Sequence, residues 1–301
     1  MNPPHLLLVT KLLEPTRRAL KTLQEIGEKL PTSASESIEV RGFFVLMISA
    51  LETMLTDTYV YYSRSFPESF DFKDVKFSKD DILTANLALD LIEQQVEKNA
   101  ISQAYESFPE LLKSFMKTVG ISAPTLDAEL VERIVEIKET RNLLLHNNLQ
   151  VNRRYVTRAG RFCREHHEGG TLSLGKAYVV EACVSLTDLM EELERRMSAK
   201  YAAYTKLAAL RRLWKYLFSS AIMPFDDFWF TDEAEDKVIA LKVSPLENQL
   251  SSSEHTFLGL WREHFNGWER SRNAASIYGL DTNHKRKLLW FLATLADFDI
   301  R

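Results

Sequence analysis

The stretch GFFVLMISALETMLTDTYVYY, residues 42–62, decides the fold because it is apolar on nearly every side of a helix. A helix with this pattern lies at the centre of a bundle, where every face contacts other helices. Glu52 and Asp57 stand near its middle, which makes the stretch too charged and too short for a membrane span. We therefore expect a core helix from about Ser37 to Ser65 with other helices packed around it.

The composition of the 301-residue chain favours the same class. Only 10 Gly and 9 Pro are present, as expected of long helices joined by loops and not of many short strands with tight turns. Hydrophobic residues make up 45% and charged residues 27%, which excludes a wholly disordered, fibrous or membrane-embedded chain. We predict an all-α fold, with helices over residues 5–30, 37–65, 78–99, 103–119, 127–147 and 288–298, and one long helix or two in series over residues 177–218.

The chain divides, on this reading, into a helical domain over residues 1–220 and a mainly helical extension of unknown role over residues 221–301. Residues 149–176 lose the helical period and hold four of the ten glycines. Within them Thr171–Leu174 is predicted to be a short strand or an extended edge. Pro15 is expected to kink the first helix or to separate two helices.

The cysteines indicate the cellular compartment, and the motifs that the chain lacks argue against several classes of enzyme. Cys163 and Cys183 cannot form a disulfide scaffold, and the amino terminus lacks the basic region of a signal peptide, so we expect a cytoplasmic protein without a membrane span. The chain has no GxxxxGK[ST], HExxH or GxSxG motif, and no GxGxxG after a strand. We predict neither a cofactor nor a metal site.

Arg141 lies on the apolar side of the predicted helix that precedes Asn147. With Leu130 at zero and about 100° per residue, Arg141 falls near 20°, in the middle of an apolar stripe made of Leu130, Ile134, Ile137, Leu144 and Leu145. An arginine is rarely buried without a partner. Arg141 therefore either pairs with a core carboxylate such as Glu52 or faces an interface or a cleft.

His146 follows five residues after Arg141 and lies about 140° away around an ideal helix. The two side chains can act together in one of two ways. Either the helix ends or bends near Leu145, or two copies of the chain contribute to one site across a two-fold interface. The Asn147–Asn148 pair favours a helix end here, because asparagine commonly ends helices.

The run RNLLLHN, residues 141–147, followed by Asn152 and Tyr155, resembles the R-x4-6-H motif of the HEPN superfamily, in which a polar residue often follows the arginine. The resemblance covers about residues 5–200. It implies a HEPN-like helical bundle that forms a homodimer through the Arg141/His146 face. For an active member it implies a metal-independent endoribonuclease of a prokaryotic defence or toxin–antitoxin system, with an antitoxin or another protein as a further partner.

Carried onto this chain, the resemblance makes Arg141 and His146 the catalytic pair and Asn142 an accessory polar residue. These residue types suit RNA cleavage, because RNA supplies its own nucleophile, the ribose 2′-hydroxyl. The protein then needs a group that transfers protons near neutral pH and a cation for the charged transition state. His146 would be the general acid or base, and Arg141 the phosphate clamp that cannot lose its charge.

Positive charge is concentrated beside this motif, although the whole chain has a net charge of -4. Residues 141–176 contain seven Lys or Arg against two Glu, which predicts RNA contact with base stacking or, alternatively, a solvated face or a site for an acidic partner. The function therefore has two rivals, a non-catalytic HEPN-like binding or assembly module and an RNA-binding regulator. The candidate RNA-binding residues are Arg153, Arg154, Tyr155, Arg158, Arg161 and Arg164.

Overall fold

The computed structural model describes residues 6–30, 37–66, 77–79, 91, 94–99, 107–122, 125–218, 224–241 and 291. The helices of this part are α1 (Val9–Lys29), α2 (Ile38–Ser65), α3 (Phe108–Val119), α4 (Ala128–Asn147), α5 (Arg153–Ala159), α6 (Lys176–Tyr201), α7 (Lys206–Phe218) and α8 (Phe225–Phe228). A 3-10 turn, Gly160–Phe162, follows α5. Two short strands, β1 (Trp229–Asp232) and β2 (Lys237–Leu241), form an antiparallel hairpin. The predicted all-α character is confirmed in its main lines, with this hairpin as the exception.

The chain forms two compact units, Val9–Tyr201 and a second made of Met1–Leu8 with Ala202–Arg301. In the first unit α2 packs against α1, α3, α4 and α6. Its Phe44, Met47 and Ile48 side chains are fully buried, as expected of a central helix. The predicted position of α2 is therefore confirmed, while the division of the chain after residue 220 stays a prediction.

Capping residues explain where the helices begin and end. The Ser37 hydroxyl accepts a hydrogen bond from the backbone N–H of Val40, and the Asp127 carboxylate accepts one from that of Glu129. Gly120 ends α3 with a φ of 69°, and Asn148 ends α4 with a φ of 45°. The predicted bounds of α2 and α4 and the predicted stop at Gly120 are confirmed to within a residue.

Other boundaries differ from the predictions for local reasons. Pro15 lies inside a single helix, α1, because burial of this face against α2 and α6 offsets the missing backbone donor. The stretch over residues 177–218, predicted as one long helix or two in series, is two helices in series, α6 and α7. The irregular stretch after Asn148 contains α5, which is only seven residues long and too short to show a period. The predicted helices over residues 78–99 and 288–298 lie largely outside the described residues.

An extended segment follows α4 and closes on the loop before α6. Gln150 and Thr171 form an isolated antiparallel bridge. Beside it the backbone N–H of Leu172 donates to the carbonyl of Leu149 at 2.9 Å, and that of Val151 donates to the carbonyl of Gly170 at 2.7 Å. The expectation of an extended edge at Thr171–Leu174 is thus met by its first residues, and the bridge fixes the chain just after His146.

Aromatic packing holds together the described part of the second unit. The ring of Trp214 lies 5.8 Å from that of Trp229 and 5.0 Å from that of Phe291, centroid to centroid. The Asp236 carboxylate accepts hydrogen bonds from the backbone N–H groups of Lys206 and Leu207 and so caps α7. Within the described ranges of the whole chain, no helix is long and apolar enough to cross a membrane.

Glu192 on α6 predicts a pH-dependent contribution to stability. Hydrogen bonds from Arg195 and from the buried Arg196 hold the pKa of this carboxyl at about 2, well below its usual range. A lowered folded-state pKa stabilises the fold above the ordinary carboxyl pKa, and the stabilisation is lost as the pH falls through about 2. Glu192→Gln should therefore lower the free energy of unfolding by about 1 kcal/mol at pH 7, after solvent screening, and by much less near pH 2. Denaturant unfolding at both pH values tests this, with the exposed neighbour Glu191→Gln as control, and an equal loss at both would contradict it.

Candidate functional site

A polar cavity of about 580 Å³ lies in the first unit, bordered by residues of α2, α3, α4 and α5. Arg141, Asn142 and His146 of the RNLLLHN run all border it. Its other charged lining residues are Glu52 from α2, Lys138 and Glu139 from α4, and Arg154 and Arg158 from α5. Together with Arg141 these residues give four cationic side chains and two carboxylates, which leaves a net charge of +2 before His146 is counted.

Arg141 was expected either to pair with a core carboxylate or to face an interface or a cleft. In the structure it does both, because it pairs with Glu52 and borders the cavity. Its Nη2 donates to Glu52 Oε1 at 2.5 Å, and its Nη1 donates to Asn142 Oδ1 at 3.1 Å. Lys138 Nζ lies 2.9 Å from the same Glu52 oxygen. The Nε of Arg141 is buried and has no hydrogen-bond partner in the described part of the chain. Two bonds therefore fix the guanidinium, and one donor is left unsatisfied.

His146 is exposed in the last turn of α4. The helix continues to Asn147, so it does not end before His146, yet both side chains border the same cavity. Leu145 beside it is 51% exposed, although the periodicity assigned it to the apolar stripe. A contribution from two copies of the chain stays a prediction.

Glu139 forms ion pairs with two further arginines that border the cavity, Arg154 and Arg158. Its side chain is only 8% exposed, and it pairs with Arg158 Nη1 at 3.0 Å and with Arg154 Nε at 3.6 Å. Asn142 Nδ2 lies 3.5 Å from the same carboxylate. Asn142 therefore contacts Arg141 through its oxygen and Glu139 through its nitrogen, so that it connects the two charged groups of the cavity.

The amino terminus of α3 also borders the cavity, through Ser107, Phe108 and Pro109. The Ser107 hydroxyl donates to the Glu110 side chain at 2.7 Å and makes no capping hydrogen bond to the first turn. The first turn of a helix carries unpaired N–H groups and a positive partial charge. Here the Glu110 carboxylate in the same turn offsets that partial charge.

Tyr155 and Arg164 make structural contacts in this unit, while the predicted contact of Arg164 with RNA stays a prediction. Both contact Glu136, a carboxylate that is 2% exposed. Glu136 Oε1 accepts hydrogen bonds from the Tyr155 hydroxyl at 2.8 Å and from Arg164 Nε at 2.9 Å. The Tyr178 hydroxyl donates to the other oxygen at 2.7 Å. The Tyr155 ring is 1% exposed, so a base could stack on it only if the ring left the core.

The two tyrosines of this cluster remain hydrogen-bond donors at ordinary pH. Burial raises the pKa of Tyr155 and of Tyr178 well above the usual value for a phenol, and the negative charge of Glu136 raises each further. The guanidinium of Arg164 stacks on the Tyr178 ring, with its central carbon 3.5 Å from the ring centroid. The Glu136 cluster thus ties α4, α5 and α6 together and holds the loop between α5 and α6.

The remaining two candidates lie on the outer side of α5 and just after it. Arg153 is exposed, and Arg161 is 55% exposed with its Nε 2.6 Å from Glu132 of α4. Carboxylates of α4 therefore offset most of the local positive charge that the sequence shows beside the motif. At the cavity the cations still outnumber the carboxylates, because Arg154 and Arg158 share the single carboxylate of Glu139.

Sequence reasoning missed the carboxylates of α4 and the role of Tyr178. A signal was present, because Glu132, Glu136 and Glu139 follow the i, i+4, i+7 spacing of one helix face. That acidic face lies opposite the arginines of the following segment, and all three carboxylates pair with them. The sequence-based prediction did not pair the acidic face of this helix with the arginine-rich segment that follows it.

In the part of the chain that the structure describes, no group of three or more His, Cys, Asp or Glu residues is placed to hold a metal ion. Comparison with known proteins finds no matching family model, no similar curated protein and no similar solved structure.

Proposed function

We propose that the protein is a metal-independent endoribonuclease of the HEPN type, with Arg141 and His146 at its active site and Asn142 as an accessory residue. The observation that carries the proposal is that all three side chains of the motif border one polar cavity with a net positive charge. A cavity of about 580 Å³ lies within the size range of small-ligand sites, so it can hold a nucleotide unit of a strand.

The proposed reaction is a transesterification in which one proton leaves the attacking oxygen and one is added to the leaving oxygen. The ribose 2′-oxygen attacks the adjacent phosphorus and loses its proton, the bond from phosphorus to the 5′-oxygen breaks, and the leaving 5′-oxygen takes a proton. The products are a 2′,3′-cyclic phosphate and a 5′-hydroxyl. His146 transfers a proton in one of these steps, because histidine changes its charge near neutral pH. Arg141 binds the phosphoryl oxygens, on which negative charge increases in the transition state.

The contacts of Arg141 support this role. Glu52 and Asn142 hold its guanidinium in one orientation, so little side-chain entropy is lost when a phosphate binds. Lys138 shares the Glu52 carboxylate, which leaves the group of three with a net charge of +1.

The HEPN-like bundle, the homodimer and the role in prokaryotic defence or with an antitoxin belong to the same proposal and rest on family analogy. Exposure of Leu145 beside His146 is consistent with a two-fold interface on this face. A non-catalytic binding module is the alternative. It is favoured by the absence of any hydrogen bond or ion pair from the His146 ring to another described residue, because a catalytic histidine is usually oriented by a partner.

Incubation of the purified protein with a single-stranded RNA in EDTA tests the proposal. We expect cleavage without metal in the wild type and loss of cleavage by at least about 100-fold in Arg141→Ala. This variant should fold, because Glu52 keeps its contact with Lys138. Arg195→Ala removes an exposed arginine on α6, far along the chain from the motif, and is the matched control. Binding without cleavage would favour the alternative.

A further inference from the structure

The cavity contains two charged groups of the same construction. In each of them two cationic side chains meet one carboxylate. We name them the deep group, which is Glu52 with Lys138 and Arg141, and the rim group, which is Glu139 with Arg154 and Arg158. Each group has two positive charges and one negative charge, so each has a net charge of +1.

The groups differ in their depth. The side chains of Lys138 and Arg141 are 11% and 17% exposed, whereas those of Arg154 and Arg158 are 62% and 45% exposed. Arg154 and Arg158 are therefore more accessible than Lys138 and Arg141. Because all four residues border the same cavity, one bound strand can contact both groups.

The rim group keeps donors available for a ligand. Two guanidinium groups carry about ten N–H donors between them, and Glu139 uses one nitrogen of each. The carboxylate side chain is 8% exposed, so it anchors both arginines from below and does not cover their outer edges. Two guanidinium groups held side by side in this way suit bidentate binding of a phosphate.

The charges match a nucleic acid strand. Each phosphodiester carries one negative charge, and each group of the cavity carries a net charge of +1. Asn142 joins the groups, since it contacts Arg141 at 3.1 Å and Glu139 at 3.5 Å. The two groups are therefore linked within the cavity through one side chain.

We propose that the rim group is a binding subsite for the phosphodiester next to the one that Arg141 contacts, and that Glu139 is the positioning residue of this subsite. The inference rests on the proposed function, because it takes an RNA strand as the ligand. It adds a requirement that the motif alone does not contain. The ligand must carry two consecutive phosphodiesters to bind fully.

Binding of short 2′-O-methyl oligouridylates to the full-length protein tests this subsite. The methyl group removes the nucleophile, so binding is measured without cleavage. The probes are a dinucleotide, a trinucleotide and a tetranucleotide, which carry one, two and three phosphodiesters. For the wild type we expect affinity to rise about 10-fold from one to two phosphodiesters and at most about 2-fold from two to three. The salt dependence of trinucleotide binding should have a slope of about −1.4 on a double logarithmic plot.

The matched variant removes the rim group without leaving an unpaired charge. Glu139→Gln, Arg154→Gln and Arg158→Gln are combined, because loss of the arginines alone would strand a buried carboxylate. We expect this variant to lose the gain from the second phosphodiester and to show a slope of about −0.7, while Arg195→Ala behaves as wild type. Arg154→Ala alone, which leaves Arg158 on Glu139, should lose part of the gain.

Two results would overturn the subsite, namely no gain from the second phosphodiester in the wild type, or an equal gain in the triple variant. The RNA cleavage assay in EDTA separates this from failure of the proposed function. A gain that depends on the rim group in a protein that does not cleave RNA would retain the subsite and remove the ribonuclease. Cleavage by the wild type without such a gain would retain the ribonuclease and remove the subsite.

Discussion

Replacement of His146 by alanine is expected to lower the rate of RNA cleavage by about 10²- to 10⁴-fold and to leave the free energy of unfolding nearly unchanged. The first effect follows from the loss of the group that transfers protons to or from the reacting oxygens. The second follows from exposure, because the His146 side chain lies at the surface in the last turn of α4 and fills no space in the core. The substitution should therefore change the cleavage rate without changing the free energy of unfolding.

The measurement is the single-turnover cleavage rate with saturating protein, together with denaturant unfolding of the same preparation. His166→Ala is the control, since His166 is an exposed histidine of the loop between α5 and α6 and does not border the cavity. It should cleave at the wild-type rate. Cleavage by His146→Ala at an unchanged rate would rule out the assigned role, whatever the result for Arg141.

Replacement of Glu136 by alanine is expected to lower the free energy of unfolding by about 3–5 kcal/mol, the largest stability effect that we predict. The carboxylate is 2% exposed and accepts hydrogen bonds from Thr140, Tyr155, Arg164 and Tyr178. Its loss removes the acceptor of the buried Tyr155 hydroxyl and of the half-buried Tyr178 hydroxyl, and it removes the carboxylate that pairs with Arg164. Because buried polar groups without a partner are costly, the loss exceeds that of one hydrogen bond.

Thermal unfolding checks this prediction. For a unit of this size, Val9–Tyr201, the expected loss corresponds to a fall in Tm of about 6–20 °C. Glu132→Ala is the matched control on the same helix, since Glu132 is 51% exposed and also pairs with an arginine of the following segment, Arg161. We expect less than about 1 kcal/mol for the control. An equally small effect at Glu136 would show that the buried cluster contributes little to stability.

The sequence predicted α2 and α4 well because their signals are local. A continuous apolar run identifies a central helix, and capping residues mark helix ends within a turn. It predicted α5 poorly, since seven residues are too few to show a helical period. The hairpin β1–β2 was also missed, because each strand has at most five residues.

The candidate site shows a different limit. Arg141 could be singled out because it falls inside an apolar stripe, and Glu52 could be named as its partner because it is one of two acids near the middle of an apolar helix. On an ideal helix, however, Glu136 lies about 240° from Leu130, which assigns it to solvent. In the structure Glu136 is buried by residues of α5, of α6 and of the loop between them. The periodicity of α4 alone does not predict which other elements pack on this face.

The sequence by itself determined the helical class, the central position of α2, the ends of α4 and the placement of Arg141 in the core-facing stripe. Each of these depends on neighbours along the chain or on the period of one helix. Only the tertiary structure decided which arginines serve the fold and which border a cavity. Arg164 and Arg158 look alike in the sequence, but Arg164 bonds the buried Glu136 and Arg158 lies at the rim above Glu139. The difference arises because each guanidinium pairs with the carboxylate that packing brings near it, and that distance is set between elements and not within them.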